Sequence, residues 1–351
     1  YQRRVLVTGV KNIKYLQQLL WHQEIKAVME KVVVNKAKVA DDGIALDFEV
    51  GDEAVEIINV NSSPCPILVF SPTTQGSYPV LLFFHGFMLH PNCYKSLLLH
   101  ISSHQYIIVA PQFSPMTSQS ELKKAKKLAE WLSINNLDSF LPEKVLPDLL
   151  KVAVSGHSRG GKTAFALALA YGSGSNGGSS SSGKATQEQR PPLKFSALLG
   201  IDPVAAGSSC LCSPSILQFV PYSFDLSIPV VVIGTGLSNQ RAYGVCPPGA
   251  PNGVNHAEFF NESKPPCYYF MAKDYGHADM LEDRNKMATL MGIMMKRGKG
   301  SKDTLRRTIG GIVVAFLKAY LEGQADDLIN IVESPNIRAP IALDPVISIE
   351  E

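Results

Sequence analysis

The stretch from Lys151 to Ala170 constrains the fold of this chain more than any other. It begins with a short β-branched run at residues 152–154, continues through a glycine-rich turn at residues 156–161, and ends in helix formers with apolar side chains at helical spacing. This order of patterns predicts a strand, a tight turn and a helix. Two unrelated kinds of site use that geometry, and both depend on the side chains and backbone N–H groups that the turn exposes.

The turn matches two motifs at once. Gly156, Ser158 and Gly160 fit the nucleophile elbow, G-x-S-x-G, in which a strained serine exposes its hydroxyl and small neighbours avoid collision. Residues 156–163 also fit the Walker A loop, G-x-x-x-x-G-K-[ST], which binds phosphates through backbone N–H groups, a lysine and a magnesium-binding hydroxyl. At average composition the elbow pattern arises by chance in roughly one chain in ten of this length and the Walker pattern in roughly one in a hundred. Rarity alone therefore favours nucleotide binding, and the rest of the chain has to decide.

The composition is typical of a globular protein with a substantial core. The 351 residues are 45% hydrophobic and 18% charged, and the net charge of +2 gives no general case for nucleic-acid binding. No apolar run reaches the roughly 18 residues that span a bilayer, so we expect a soluble protein. The six cysteines include no C-x-x-C pair, so most are expected to be free thiols, although spacing leaves a Cys246–Cys267 disulfide open.

Strand-like runs alternate with helical patterns along most of the chain. Fully apolar runs are typical of parallel strands covered on both faces, and they occur at residues 80–84, 106–110, 152–154, 196–201, 229–233 and 268–272. Residues 55–60 and 67–70 are expected to form antiparallel edge strands. Residues 121–132 predict an amphipathic helix with Ser120 as its N-cap, and residues 304–321 predict a long helix interrupted by two glycines. This alternation predicts an α/β fold with a mostly parallel central sheet flanked by helices.

One domain is expected to carry the chemistry. It spans residues 51–347, after an N-terminal extension at residues 1–50 whose role stays unassigned, and residues 348–351 form a short tail. Within residues 172–190 the chain is rich in serine and glycine, which predicts a disordered surface insertion.

Residues that follow the predicted strands supply the chemistry of a serine hydrolase. Ser158, Asp202 and His277 each come directly or shortly after an apolar run, in the chain order of the α/β-hydrolases. Ser158 would attack an acyl carbonyl, His277 would transfer the proton, and Asp202 would orient the imidazole and stabilise the imidazolium. The backbone N–H groups of Phe87 and Arg159 would bind the oxyanion, each contributing on the order of 3 kcal/mol. We expect no metal and no cofactor.

Other polar residues leave alternatives for the acid and the base. The acid commonly follows the strand after the one chosen here, but that strand ends at residues 234–236 without a carboxylate, so Asp225 is the fallback acid. His256 precedes the last apolar run and is expected to be structural. Asp279 is expected to cap the following helix.

The Walker A interpretation explains fewer of these residues. A Walker loop usually follows an early strand of its domain, whereas several predicted strands precede this one, and the turns at 85–86 and 276–277 would have no role. Lys162 and Thr163 are most simply the first turn of the helix after the elbow.

Several longer segments resemble the plant chlorophyllases. They are FFHGF at residues 83–87, GHSRGGKTAFALAL at 156–169, GIDPV at 200–204, IPVVVIGTGL at 228–237, DYGHADML at 274–281 and GGIVVAFLKAYL at 310–321. The resemblance covers residues 55–347 and implies a single-domain serine esterase of the α/β-hydrolase fold that hydrolyses the phytyl ester of chlorophyll to chlorophyllide and phytol. It also implies the triad Ser158, Asp202 and His277. The first 50 residues and the length of the serine-rich insertion depart from the family pattern.

A phytyl chain and a flat macrocycle require a wide apolar cleft. Met88, Leu89, Phe219 and Phe224 lie in segments after site-bearing strands and are expected to line that cleft. The magnesium ion would belong to the chlorophyll, which is the expected small-molecule partner, together with peripheral contact with pigment-bearing membranes.

The resemblance implies a chloroplast location, with the cytosol, endoplasmic reticulum and vacuole left open. Three other functions stay open at this point. They are a general carboxylesterase or lipase acting on other lipid esters, a P-loop nucleotide-binding protein, and a hydrolase-fold binding protein without catalysis.

Overall fold

One mixed sheet runs through the structure, a computed structural model that describes residues 46–113, 121–134, 137–172, 193–205, 215–243 and 246–350. In chain order its strands are β1 (Val55–Val60), β2 (Ile67–Pro72), β3 (Gly76–Phe84), β4 (Ile107–Pro111), β5 (Val145–His157), β6 (Ala197–Ile201), β7 (Val230–Thr235), β8 (Cys267–Ala272) and β9 (Leu343–Ile349). Their spatial order is β1-β2-β4-β3-β5-β6-β7-β8-β9. The strands from β4 to β8 pair in parallel, whereas β1, β2 and β9 pair antiparallel with their neighbours at the two edges. The predicted α/β-hydrolase fold, with a mostly parallel central sheet, is confirmed.

Helices cover both faces of the sheet. The described helices are α1 (Lys95–Ser102), α2 (Glu121–Ser133), α3 (Arg159–Gly172), α4 (His256–Glu262), α5 (Lys286–Met294), α6 (Lys302–Leu317), α7 (Asp326–Glu333) and α8 (Pro335–Arg338). Helix α3 packs against β5 and β6, while α1 packs against α6 and the β2–β4 side of the sheet. This double cover explains why the central strands are apolar on both faces, since every residue of β4, β6 and β7 is buried. Among the described helices, none is long and apolar enough to cross a membrane.

Side chains at the helix starts satisfy backbone N–H groups. Ser301 accepts a hydrogen bond from the Thr304 N–H at the start of α6, and Asn285 accepts from two N–H groups at the start of α5. Asn255 caps α4 in the same way. The sequence predicted Ser120 as the cap of α2, but that residue lies outside the described part of the chain, as do all but the first residue of the serine-rich insertion at 172–190 and most of the extension at 1–50.

Two elements differ from the sequence prediction. Helix α6 is not interrupted at its glycine pair but runs continuously from Lys302 to Leu317 and continues as a π-helical turn. The pair instead allows close packing, because a Cβ at Gly311 would lie 2.2 Å from the ring of Phe48. Strand β9 was not predicted, and it pairs residues 348 and 349 with β8.

The fold also extends beyond the predicted domain boundaries. Phe48, in the short 3₁₀ helix Leu46–Phe48, is fully buried in the main core, so residues before 51 contribute to the domain. At the other end, residues 348–349 belong to the sheet rather than to a tail.

The contact between α6 and Phe48 gives a test of this packing. We expect Gly311→Ala to lower the free energy of unfolding by about 1–3 kcal/mol, because the added methyl group displaces a buried ring. The matched control is Gly292→Ala in α5, where the nearest heavy atom to an added Cβ is 4.0 Å away. There the higher helix propensity of alanine adds up to about 1 kcal/mol. Urea denaturation measures both, and equal effects would contradict the packing argument.

Candidate active site

Three loops bring the predicted site residues to one edge of the sheet. Ser158 follows the last residue of β5, Asp202 follows the last residue of β6, and His277 lies in the loop after β8. Because these strands run parallel, their carboxyl ends meet at the same edge, where α/β folds place their ligands and reactive groups.

The turn at Ser158 is a strained elbow. Ser158 has a φ of +57°, in the left-handed region that few non-glycine residues occupy. The turn is closed tightly enough that a Cβ at Gly160 would lie 2.1 Å from the Phe84 carbonyl oxygen. Hydrogen bonds hold the elbow to the end of β6, since the Ser158 N–H donates to the Ile201 carbonyl at 3.0 Å. The geometry is that of the nucleophile elbow, and Lys162 and Thr163 lie buried in the first turn of α3 as expected.

A continuous chain of hydrogen bonds links the three predicted residues. The His277 Nε2 atom lies 2.8 Å from the Ser158 hydroxyl oxygen, and its Nδ1 atom lies 2.8 Å from a carboxylate oxygen of Asp202. Both distances fall within the range that proton transfer between a nucleophile, a base and an orienting acid requires. Asp202 and His277 are buried, whereas Ser158 keeps part of its surface exposed. The arrangement can therefore activate a serine hydroxyl, and its catalytic role remains a prediction.

The carboxylate of Asp202 is fully buried and strongly stabilised in its charged form. Burial disfavours the charge, but the attraction and hydrogen bond of His277, with smaller contributions from His256 and Thr235, outweigh it and lower the pKa of Asp202 to about 2. The Thr235 hydroxyl donates to Asp202 at 2.5 Å. Sequence reasoning dismissed residues 234–236 for want of a carboxylate. The threonine at that strand end instead supports the acid from the neighbouring strand.

His256 contacts the other side of this carboxylate. Its Nε2 atom lies 3.6 Å from Asp202 Oδ1, and its Nδ1 atom lies 2.7 Å from the Tyr269 hydroxyl. Burial lowers the pKa of His256, so the ring is neutral near pH 7 and Nδ1 accepts the Tyr269 proton. His256 thus lies beside the predicted acid rather than beside Ser158. Asp225, the fallback acid, is exposed and pairs with Lys264 at 3.1 Å.

A second buried histidine connects the elbow to the His277 loop. His157 Nε2 donates to the His277 carbonyl oxygen at 3.0 Å, and its Nδ1 atom accepts from the Tyr94 hydroxyl at 2.7 Å. The Tyr94 oxygen in turn accepts the Gly86 N–H at 3.0 Å. Burial lowers the pKa of His157 to about 3, so the ring stays neutral and this donor pattern is retained. Sequence reasoning missed His157, and its position beside Ser158 in the elbow was the only local signal.

Asp279 supports the same loop, and the prediction that it caps the following helix is wrong. Its carboxylate accepts the Gly276 N–H at 2.8 Å and the Gly298 N–H at 2.7 Å. The cap of α5 is Asn285. Asp279 therefore ties the backbone just before His277 to the segment that follows α5, rather than capping a helix start.

The turn that carries Phe87 is braced by a neutral histidine. The Phe113 N–H donates to His85 Nε2 at 3.0 Å, so His85 Nδ1 carries the proton that is donated to the Gly86 carbonyl at 2.9 Å. Burial lowers the pKa of His85 to about 4. The Arg159 guanidinium lies 5.3 Å from the centre of the Phe87 ring, so the residues of the two predicted oxyanion donors are in contact.

The side chain of Arg159 has a partner that the sequence did not indicate. Its Nη2 atom lies 2.7 Å from a carboxylate oxygen of Glu121, the first residue of α2, and both side chains are almost completely buried. The Thr163 hydroxyl donates to the other Glu121 oxygen at 3.2 Å. Burial raises the pKa of Glu121 and lowers that of Arg159, and the attraction between the two charges opposes both shifts. The elbow helix is thereby tied to α2 through an ion pair.

The predicted cleft lining is only partly consistent with the structure. Phe224 has no exposed surface and packs between Phe165 and Phe259, so its assignment to the lining is wrong. Leu89 is likewise part of the main core, with 4% exposure. Met88 is half-buried and Phe219 is 45% exposed.

The cysteine pairing left open by the sequence is absent in the structure. Cys246 and Cys267 are both free thiols. Cys267 lies buried in β8.

The ion pair between Arg159 and Glu121 gives a second test. Glu121→Gln removes the negative charge from a buried pair and leaves the guanidinium uncompensated, so we expect about 3 kcal/mol of lost stability. The matched control is Glu130→Gln on the exposed face of the same helix, which should change stability by less than about 0.5 kcal/mol. Denaturant unfolding measures both variants. A loss of stability no larger than that of the control would show that the buried ion pair makes no net contribution to the free energy of unfolding.

Comparison with known proteins gives matches over most of the chain. The family model described as Chlorophyllase matches residues 39–350. Chlorophyllase-2 of Arabidopsis thaliana is 42% identical over 297 residues, which cover 80% of this chain and 86% of the relative. Chlorophyllase-1 of the same plant is 41% identical over 317 residues, covering 87% and 93%, and Chlorophyllase-1, chloroplastic, of Citrus unshiu is 42% identical over 293 residues, covering 81% and 80%. The chain belongs to the chlorophyllase family.

Proposed function

We propose that this protein is a carboxylic ester hydrolase that cleaves the phytyl ester of chlorophyll to chlorophyllide and phytol. The observation that carries the proposal is the hydrogen-bonded chain from Ser158 through His277 to Asp202, at the strand ends of a chlorophyllase-family chain. Relatives named chlorophyllase span most of this chain, which supports chlorophyll as the substrate.

The reaction proceeds in two stages. The Ser158 oxygen attacks the ester carbonyl carbon while its proton passes to His277 Nε2, and the tetrahedral intermediate places its negative charge at the N–H groups of Phe87 and Arg159. Collapse of this intermediate breaks the bond to the phytyl oxygen, and His277 returns the proton to phytol. Chlorophyllide is then bound to Ser158 as an acyl ester. A water molecule attacks the carbonyl carbon of this ester while its proton passes to His277. The bond to the Ser158 oxygen then breaks, His277 returns the proton to Ser158, and chlorophyllide leaves as the acid.

Asp202 favours both proton transfers. With a pKa of about 2 its carboxylate is ionised near neutral pH, so it holds the Nδ1–H tautomer of His277 and stabilises the imidazolium. The donors on the carboxylate also fix its orientation. The neutral rings of His157 and His256 add no positive charge near the imidazolium, which would otherwise oppose its formation.

The surroundings of the reaction follow from the nature of chlorophyll. The magnesium ion belongs to the macrocycle, and the proposed steps use side chains and backbone N–H groups of the protein. The C₂₀ phytyl chain holds the substrate in a lipid phase, so we propose peripheral contact with pigment-bearing membranes. Two relatives carry the word chloroplastic in their names, which supports a location in the chloroplast.

The first functional test compares wild type with Ser158→Ala on chlorophyll in detergent and on p-nitrophenyl butyrate. We expect the variant to lose activity on both esters by at least about 10⁴-fold while remaining folded, because it lacks the nucleophile. The matched control is Ser155→Ala in the same strand, where the buried serine hydroxyl makes no hydrogen bond to the described residues and activity should stay within about two-fold.

Other results of this experiment would separate the alternatives. Cleavage of the butyrate ester alone would support a general carboxylesterase and reject chlorophyll as the substrate. If folded wild type cleaved neither ester but bound magnesium–ATP, with binding lost in Lys162→Ala, the Walker A interpretation would replace the hydrolase.

The second functional test concerns the support of the acid. Thr235→Val keeps the shape of the side chain but removes the hydroxyl that donates to Asp202, so we expect kcat to fall about ten-fold with KM changed little. The matched control is Thr308→Val in α6, where a buried hydroxyl donates within its own helix and kcat should be unchanged. An unaltered kcat in Thr235→Val would refute the positioning role.

A further inference from the structure

Helix α5 shows apolar side chains to solvent. Leu290, Ile293 and Met294 are 44%, 51% and 43% exposed, and their spacing places them on one side of the helix. The opposite side, which packs against the domain, carries Ala288 and Met291. A surface helix ordinarily presents polar residues outward, so this outward side is the reverse of the usual pattern. We call Leu290, Ile293 and Met294 the α5 face.

The α5 face is flanked by basic residues without acidic ones. No aspartate or glutamate occurs between Asp283 and Asp303, and the six basic residues in this interval are Arg284, Lys286, Lys296, Arg297, Lys299 and Lys302. Arg297 approaches Asp279 at 3.8 Å and Lys302 pairs with Asp283 at 3.2 Å. Of the others, Lys286 and Lys299 are exposed, and within the described residues no carboxylate lies in ion-pair distance of either. The chain therefore carries positive charge both before and after the α5 face.

Both ends of α5 are attached to loops of the candidate active site. Beyond its C-terminal end, the Gly298 N–H donates to Asp279 in the His277 loop at 2.7 Å. Just before its N-terminal end, the Glu282 N–H donates to the Cys93 carbonyl at 2.9 Å. Cys93 precedes Tyr94, whose hydroxyl contacts His157. The segments on either side of α5 are thus hydrogen-bonded to the loop of His277 and to the segment that holds the turn before Phe87.

We propose that the α5 face, with its basic flanks, docks the protein on an anionic lipid surface. Apolar side chains of this size enter the boundary between headgroups and acyl chains, while lysines and arginines beside them attract anionic headgroups. The reason for docking rests on the proposed function, because a substrate with a phytyl chain is presented at such a surface. Binding itself depends on the helix and its charges.

Charge argues against other occupants of the α5 face. A second copy would bring two segments of the same positive charge together, which is unfavourable. Residues 11–38 of this chain contain six lysines and two glutamates, so that segment is basic as well. An anionic lipid surface complements both the apolar α5 face, through its acyl chains, and the basic residues beside it, through its headgroups.

Vesicle co-sedimentation of the full chain tests the proposal, with phosphatidylcholine vesicles compared with vesicles that also contain phosphatidylglycerol. We expect binding to the mixed vesicles only, and weaker binding at high salt. The triple variant Leu290→Gln/Ile293→Gln/Met294→Gln should bind on the order of 100-fold more weakly, because it removes the inserted apolar surface. The double variant Lys286→Gln/Lys299→Gln should bind about 30-fold more weakly.

Two matched variants control for exposed residues elsewhere. Ile329→Gln/Ile337→Gln removes apolar side chains of similar exposure from α7 and α8, and Lys123→Gln/Lys127→Gln removes two exposed lysines from α2. Neither should change vesicle binding. In every variant, hydrolysis of p-nitrophenyl butyrate in solution and the melting temperature should match wild type.

Several results would overturn the proposal. They are absence of binding to anionic vesicles, equal losses in the control variants, or a wild-type dimer that dissociates in the triple variant. A melting temperature several degrees lower in the triple variant would show that the face packs against the chain itself. If wild type binds vesicles but leaves chlorophyll intact, the proposed function is refuted and the docking surface is not. If wild type cleaves chlorophyll in detergent but does not bind vesicles, the docking surface is refuted and the proposed function is not.

Discussion

The buried charge of Asp202 is the interaction on which the rest of the site depends. A carboxylate without any exposed surface is strongly disfavoured unless donors surround it, and the donors here come from different parts of the sheet edge. The donors are His277, from the loop after β8, and Thr235, at the end of β7, while His256 at the start of α4 lies 3.6 Å from the carboxylate. These groups lower the pKa of Asp202 where the segments meet at the sheet edge.

Neutral histidines connect the loop of His277 to the elbow of Ser158 and to the turn before Phe87. His157 and His85 are buried deeply enough that their pKa values fall to about 3 and about 4, so each ring keeps a fixed donor and a fixed acceptor near pH 7. His157 joins the backbone of the His277 loop to Tyr94, and Tyr94 holds the turn before Phe87. A protonated ring at either place would lose its acceptor. Burial thus gives these two histidines fixed connecting roles, whereas His277, within the described part of the chain, is the histidine that contacts the serine hydroxyl.

Strand ends could be read from the sequence, but the contacts between loops could not. Ser158, Asp202 and His277 were found because an apolar run marks a buried strand and a parallel sheet gathers strand ends at one edge. Glu121 and Arg159 are separated along the chain, and no local pattern records that α2 lies against the elbow helix. Thr235 was set aside because a carboxylate was sought.

Apolar residues after a strand were ambiguous for a related reason. Phe224 and Phe219 have the same character in the sequence, yet the first is fully buried among aromatic rings and the second is 45% exposed. Only the packing of neighbouring elements decides between core and surface. For the same reason the sequence does not reveal the α5 face. The apolar residues of α5 would be assigned to the core by pattern alone, although three of them face solvent. The segment after α5 is hydrogen-bonded to the loop of His277, so the docking that we propose for α5 would bring the candidate active site close to the lipid surface.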